Sequence, residues 1–392
     1  MNNYNRHLQL PEGVDDFLPG PAAAKRSLEN KLLGLFRSWG YQEVVTPTFE
    51  FTETFQAGQV AAKEELLFRF IDRKGRVLTL RPEMTAPIAR LVATRLRKEK
   101  LPLRLCYVAS VFRYEDPARG RRREFHQAGV ELIGGTGVGA DVEVVALAVE
   151  ALLESGLKDF QVGLGQVAIT KGVLADLGLE GEALAAVKEA LVGKDWVGLN
   201  RLCEQYGLRG TARQRLELLF TLHGGRRELK EAIPILGVEA AREPLAHLEE
   251  VLAILERYGL GRYLFIDLGI LRDFDYYTGL VFEGYVPGLG FPVLGGGRYD
   301  GLLAEFGYPC PATGFALGIE RVLAARNGEM FIEEESRAYL VAGKDLAAAL
   351  TKAKELRRSG ARVELGCGIS SLEEARREAA ERGLNLVWVE TV

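Results

Sequence analysis

Paired cysteines are absent. Cys106, Cys203, Cys310 and Cys367 stand far apart and make no CxxC spacing. That argues against a structural zinc site and a disulfide framework, and fits a reducing cytosol. The histidines are equally few, and His7, His126, His223 and His247 have no metal-ligand spacing. No Ser/His/Asp or Cys/His arrangement stands out, and no metal or cofactor is expected. An excess of charge of one sign is missing too, with 50 Lys+Arg against 54 Asp+Glu and a net charge of −4. A chain that lives on nucleic acid usually carries a basic bias, at least locally. No apolar run approaches about eighteen residues, and the start MNNYNRHLQLPEG has no apolar h-region. The expectation is a cytoplasmic protein with no membrane partner.

What is present is ordinary globular material, 47% apolar and 27% charged, in a chain of 392 residues that is long enough for two or three domains. Leu28, Leu32, Leu35, Phe36 and Trp39 recur at helical spacing, and Gly40 ends that helix. YQEVVTP reads as a strand closed by Pro47. Residues 66–84 read as a hairpin with its turn at Asp72 to Gly75. A helix follows with Thr85 as its N-cap. Residues 103–113 and 124–134 read as two further strands, and 141–156 as a helix. From 170 to 257 Leu, Ala, Glu and Lys dominate, which reads as a helical insertion. The tail from AYLVAG to LNLVWVE alternates as βαβαβ, the makings of a small parallel sheet.

Several residues carry chemistry. In the strand 124–134, Phe125, Gln127, Gly129, Glu131 and Ile133 share one face, with Gln127 and Glu131 ~13 Å apart. Gly129 leaves room there for a small ligand against the backbone. A Glu on an otherwise apolar face must be paired or ligand-bound, because a lone buried carboxylate is costly. A solvent-facing strand or an internal salt bridge would also account for the pair. Arg113 ends the preceding strand, and the turn holds Arg119, Arg121, Arg122 and Arg123. Arginine forks suit phosphate, and an exposed basic turn is the plainer account. In LRPEMTAPIAR, Glu83 and Thr85 at a helix start suit an ammonium group, or simple capping. In LRDFDYYTGLVFE, Arg272, Asp275, Tyr276 and Tyr277 suit a carboxylate and an aromatic ring, or strand packing. GGGRYDG, Gly295 to Gly301, is a flexible or closely approached segment and no nucleotide fingerprint. Arg321 sits in the first turn of a helix, where a cation is disfavoured unless an anion lies near. Together these groups suit an amino acid beside ATP.

The motifs FRYEDPARGRRREFHQAGVELIG, LRPEMT, RDFDYYTGLVFE, GGGRYDGL and ATGFALGIERV, in this order, resemble those of histidyl-tRNA synthetases, over roughly residues 10–327. The resemblance implies an α+β fold of the class II synthetase type, an antiparallel sheet flanked by helices and dimerised through the early helix and the Pro47 strand. Its core takes residues 1–169 and 258–327, the helical insertion 170–257, and a small truncated α/β domain 328–392. The resemblance also implies roles. Glu83, Thr85 and Gln127 hold the histidine amino group, Glu131 and Tyr277 the imidazole with Tyr276 beside them, and Arg272 the carboxylate. Arg113, Arg121 and Arg321 form a phosphate-facing set.

Two departures turn the resemblance toward a related family. Met84 stands where a synthetase usually has glycine, and the tail is expected to be shorter than a synthetase's anticodon-binding domain. Both features are similar to the regulatory subunits of ATP phosphoribosyltransferase. That family implies a non-catalytic subunit of the first step of histidine biosynthesis. The partner would be the short-form catalytic subunit, in a hetero-octamer containing a homodimer of this chain. Histidine would be the feedback effector, and tRNA is not the expected partner. The alternatives are a histidyl-tRNA synthetase or other histidine-activating enzyme, and a synthetase-derived RNA-binding module.

Overall fold

The computed structural model describes residues 7–57, 64–116, 122–271, 275–326 and 338–390. Helix α1 (Pro19–Ser38) starts with Pro at its first position and buries Leu28, Leu32 and Phe36, one stripe at i, i+4 and i+8. Gly40 follows it at φ +82°, the left-handed conformation that glycine adopts without a steric penalty. The strand expected from YQEVVTP is short. Only β1 (Gln42–Glu43) pairs, and Val45 is exposed.

A small antiparallel sheet comes next, made of β2 (Phe49–Phe51), β3 (Arg69–Ile71) and β4 (Val77–Leu80), with α2 (Thr52–Ala57) after β2. The β3–β4 turn is tied by Asp72, whose carboxylate accepts from the backbone N–H of Lys74 and of Arg76. Helix α3 (Thr85–Leu91) leads to the long hairpin β5 (Leu103–Phe112) and β6 (Glu124–Ile133), then α4 (Gly137–Glu154) and β7 (Gln161–Gln166). The helical stretch holds α5 (Val167–Asp176), α6 (Gly181–Val192), α7 (Trp196–Gln205), α8 (Thr211–Thr221), α9 (Arg226–Leu236) and α10 (Glu239–Arg257). Between α8 and α9 lies β8 (His223–Gly224). Then come β9 (Leu264–Asp267), β10 (Leu280–Tyr285), β11 (Leu294–Arg298), α11 (Leu302–Glu305), β12 (Ala312–Gly318) and α12 (Ile319–Ala325).

Among the described residues the main sheet has nine strands in the order β1-β5-β6-β12-β11-β10-β7-β9-β8. It is antiparallel except for the β1–β5 and β7–β9 pairs, which run parallel. Helix α4 buries ten of its residues, from Ala140 to Leu152. Near its start the fully buried Asp141 accepts from Arg298 Nε at 3.1 Å, has Arg298 Nη2 2.8 Å away as an ion pair, and lies 3.0 Å from His247 Nε2. One carboxylate thus joins α4, β11 and α10. Burying Asp141 and Arg298 is tolerable only because each faces a partner.

GGGRYDG is not a loop at its start. Gly295, Gly296 and Gly297 lie in β11, paired on both edges. At Gly296 and Gly297 glycine is required because the neighbours come so close. A Cβ on Gly296 would stand 2.6 Å from Phe315 Cβ and 2.7 Å from Phe282 Cζ.

The described residues 338–390 belong to a separate compact unit. It runs β13 (Ala338–Gly343), α13 (Leu346–Arg358), β14 (Arg362–Leu365), α14 (Leu372–Glu381), β15 (Asn385–Val389), with a parallel sheet in the order β14-β13-β15. Val341 packs with Ala349 and Ala353 on one face, and Leu340 with Ala379 and Leu384 on the other. Asp345 caps α13 through the N–H of Ala347 and of Ala348, and Ser371 caps α14 through that of Glu374. Among the described residues no helix is long and apolar enough to cross a membrane.

Replacing Gly296 by Ala forces the main sheet apart at its centre, an overpacking cost of ~1–3 kcal/mol. Urea unfolding of the full chain should show a lower midpoint with an unchanged slope.

Candidate functional site

The site is laid out by strand register. Across the main sheet, Leu105, Glu131, Gly314, Gly297 and Val281 are directly opposite one another on β5, β6, β12, β11 and β10. The next row on that face is Tyr107, Gly129, Ala316, Gly295 and Glu283. Both rows are bulky at their ends and small in the middle. The result is a floor of glycine and alanine under a cavity of about 570 Å³, within the ~300–1,000 Å³ common for ligand sites.

Glu131 stands at the edge of that floor and is 2% exposed. A Cβ on Gly314 would collide with its carboxylate, so the small residue there is what admits the acid. Thr85 Oγ1 donates to Glu131 Oε1 at 3.0 Å, and the Tyr299 hydroxyl donates to Oε2. Burial pushes the carboxyl up from 4.5 to about 8. The bonds from Tyr299 and Thr85 pull the other way, and the charge of Glu83 pushes it up further.

Glu83 is also buried, and its carboxylate accepts from the backbone N–H of Thr85 and of Ala86. Burial raises its pKa, while those bonds and the Arg113 charge lower it. Glu83 therefore caps α3, with Met84 in the N-cap position. Thr85 is the first helical residue and not the cap, which leaves its hydroxyl for Glu131. Met84 is buried in the apolar cluster with Ile88 and Tyr107 while also bordering the cavity.

The aromatic wall consists of Tyr276, Tyr277 and Tyr299. Tyr276 stacks on Tyr299 at 5.3 Å between centroids and meets Tyr277 edge-on at 4.9 Å. Burial raises the hydroxyl pKa of Tyr276 and Tyr299 well above the usual value, so both stay neutral donors. Gln127 borders the same cavity, and its Oε1 is buried with no partner among the described residues. Arg113 donates to Pro82 O at 2.9 Å and lies over the Phe125 ring. Arg321 donates to Pro292 O at 2.7 Å and lies over Phe291. Both arginines line the cavity.

The structure thus brings Glu83, Thr85, Gln127, Glu131, Tyr276, Tyr277, Arg113 and Arg321 to one cavity. Arg119, Arg121 and Arg272 lie outside the described residues. His126 points elsewhere, to Glu320 at 2.8 Å and Ser110 at 2.9 Å. Gly129 does not leave room for a ligand, because a Cβ there would stand 2.5 Å from the Tyr107 hydroxyl. Tyr107 and the Phe315 carbonyl occupy that space. Tyr299, the tether of Glu131, was in plain view in GGGRYDG, but its role depends on a contact 168 residues away in the chain. Among the described residues no group of three or more His, Cys, Asp or Glu could hold a metal ion.

The folded protein retains a proton on Glu131 that the unfolded chain loses above the ordinary carboxylate range. This group's contribution therefore falls as pH rises from about 4.5 to about 8 and is level above that. Stability curves of the wild type and Glu131→Gln, taken by urea at successive pH values, should diverge through that window. The wild type loses ground at up to about 1.4 kcal/mol per pH unit.

The sequence pattern of the histidyl-tRNA synthetase family matches residues 13–322. Among curated relatives, the ATP phosphoribosyltransferase regulatory subunit of Moorella thermoacetica is 64% identical over 98% of this chain and 99% of its own. That of Desulfitobacterium hafniense (strain DSM 10664 / DCB-2) is 43% identical over 96% of each. A crystal structure described as an ATP phosphoribosyltransferase regulatory subunit/histidyl-tRNA synthetase from Bacillus halodurans superposes with a TM-score of 0.86 at 33% identity, covering 98% of each chain. A histidyl-tRNA synthetase from Nostoc sp. PCC 7120 superposes with a TM-score of 0.81 at 21% identity, over 98% of this chain and 91% of that one, and shows the fold alone. A cavity built on the class II synthetase sheet and full-length likeness at this identity lead to one assignment: the chain belongs to the ATP phosphoribosyltransferase regulatory subunit family, on the fold of the histidyl-tRNA synthetases.

Proposed function

We infer that this chain, a regulatory and non-catalytic subunit of ATP phosphoribosyltransferase in histidine biosynthesis, holds histidine in the Glu131 half of its cavity. Occupancy there biases a short-form catalytic subunit in the cytoplasm, and tRNA is not its partner. The observation that carries this reading is Gln127 Oε1, a buried acceptor without a partner among the described residues, in a cavity that also holds buried Glu83 and Glu131. Such acceptors need donors. An ammonium group supplies three to Glu83, Thr85 and Gln127, and an imidazole N–H supplies one to Glu131. Arg272 is assigned to the ligand carboxylate.

Arg113 and Arg321 in the same cavity favour a second reading in one respect, since they offer an anion site beside the amino-acid site. Histidine-dependent exchange of pyrophosphate into ATP separates the two, and none is expected here.

The chain pairs with a second copy through its small sheet, and two such pairs would fit within a hetero-octamer. Phe49, Phe51 and Phe70 are 50, 43 and 41% exposed on one face of the small sheet, and Ile71 and Val77 are 71 and 41% exposed on the other. Apolar side chains exposed in this way are usually covered. Phe70→Lys with Ile71→Lys should lower the sedimenting mass to that of one chain.

For the function itself, the full chain is mixed with a short-form transferase, and product is measured from ATP and phosphoribosyl pyrophosphate with and without histidine. Product formation should rise with this chain present, and histidine should lower it. Glu131→Gln should weaken histidine binding about 2- to 12-fold, the usual net loss of one hydrogen bond to a neutral group. A transferase equally active and equally inhibited without this chain ends the reading.

A further inference from the structure

The Tyr276–Tyr277 wall is gripped from outside the cavity by two lysines of the helical stretch 170–257. Lys171, on α5, donates from Nζ to the backbone carbonyl of Tyr277 at 2.9 Å. Lys188, on α6, donates to both carboxylate oxygens of Asp275 at 2.6 and 2.8 Å. The bases of these contacts differ in firmness. Helix α5 packs against α10 so closely that a Cβ on Gly172 would stand 2.9 Å from the Ala240 carbonyl. Lys171 itself is half-buried, and burial lowers its pKa. The Lys188–Asp275 pair is exposed, with 33% and 68% of the side chains open to water, and such pairs hold weakly. On the cavity side, the Tyr277 ring lies against Gly297, 2.8 Å from where a Cβ would be. The segment 275–277 is therefore held between the sheet floor and the helices.

We propose that Lys171 and Lys188 are positioning residues, through which the helical stretch sets the aromatic wall of the cavity and ligand occupancy is felt in α5 and α6. Neither lysine lines the cavity. By linkage, anything that shifts these helices changes affinity in the cavity, and a ligand in the cavity shifts the helices by the same factor. This deepens the histidine reading given above and rests on it for the identity of the ligand.

The test uses the full chain and two readouts, calorimetric titration with L-histidine and amide hydrogen exchange followed by mass spectrometry. Lys171→Met should weaken histidine binding by about 5- to 30-fold, and Lys188→Gln by less than about fivefold. Lys171→Arg, which keeps a donor for the Tyr277 carbonyl, should stay near wild type. Without ligand, amides of 275–279 should exchange faster in Lys171→Met. With histidine, exchange in α5 and α6 should slow in the wild type and not in that variant. Should Lys171→Met fail to fold, the charge swap Lys188→Asp with Asp275→Lys replaces it, and should restore the wild-type exchange that Lys188→Asp alone disturbs. The inference is overturned if exchange at 275–279 is unchanged, or if Lys171→Arg fails as badly as Lys171→Met. A wild type that takes up no histidine overturns the proposed function. The positioning role is then decided by exchange in the ligand-free protein alone.

Discussion

A carboxyl group with 2% of its surface exposed, Glu131, sets the terms for the rest of the cavity. Burial in this sheet holds it largely protonated near neutrality. It is tolerable only with the Tyr299 hydroxyl on one oxygen and the Thr85 hydroxyl on the other. Thr85 is available because Glu83 takes over the capping of α3. The floor beside Glu131 has to be glycine because any Cβ at Gly314 would enter the carboxylate's space. Helix start, strand register and residue size are thus one arrangement around a single acid.

That arrangement extends beyond the cavity. Arg298 adjoins Tyr299 in the chain and is anchored on Asp141, which also faces His247 of α10. The position of the Tyr299 hydroxyl therefore depends on a buried charge cluster shared by a core helix and a helix of the 170–257 stretch. Removing Arg298 would leave the buried Asp141 charge without its main counter-charge, a loss of about 3–5 kcal/mol. Such joints move as units, because packed interiors shift between discrete arrangements and do not deform smoothly.

A regulatory subunit with synthetase-type ligand groups involves no contradiction. Catalysis requires interactions stronger in the transition state than in the ground state. Sensing requires only that a ligand bind one conformation better than another. Glu83, Thr85, Gln127 and Glu131 meet the second condition wherever amino-acid binding orders the aromatic wall. Much of this was legible in the chain itself. The α1 stripe, the Asp72–Gly75 turn, the β5–β6 hairpin and the alternating tail all follow from local periodicity and turn chemistry. The class II synthetase fold followed from motif order. What went astray was non-local. GGG read as a flexible or closely approached segment, because glycine disfavours strands in isolation; it is strand β11, and the close approach holds at Gly296 and Gly297. Gly129 looked like ligand space, and Tyr107 fills it. YQEVVTP has strand composition, yet only Gln42 and Glu43 pair in the sheet; after one bond from Val44 to Cys106 its carbonyls turn to the Arg81 side chain.

By itself the sequence determined which groups could act and along which elements they lie, since side-chain chemistry and the periods of helix and strand are properties of neighbouring residues. Only the tertiary structure decided that Glu131 is neutralised by burial, that Tyr299 holds it and that Lys171 grips the wall from behind. Those outcomes depend on which strands and helices meet, and desolvation and contact between residues far apart in the chain exist only after they do.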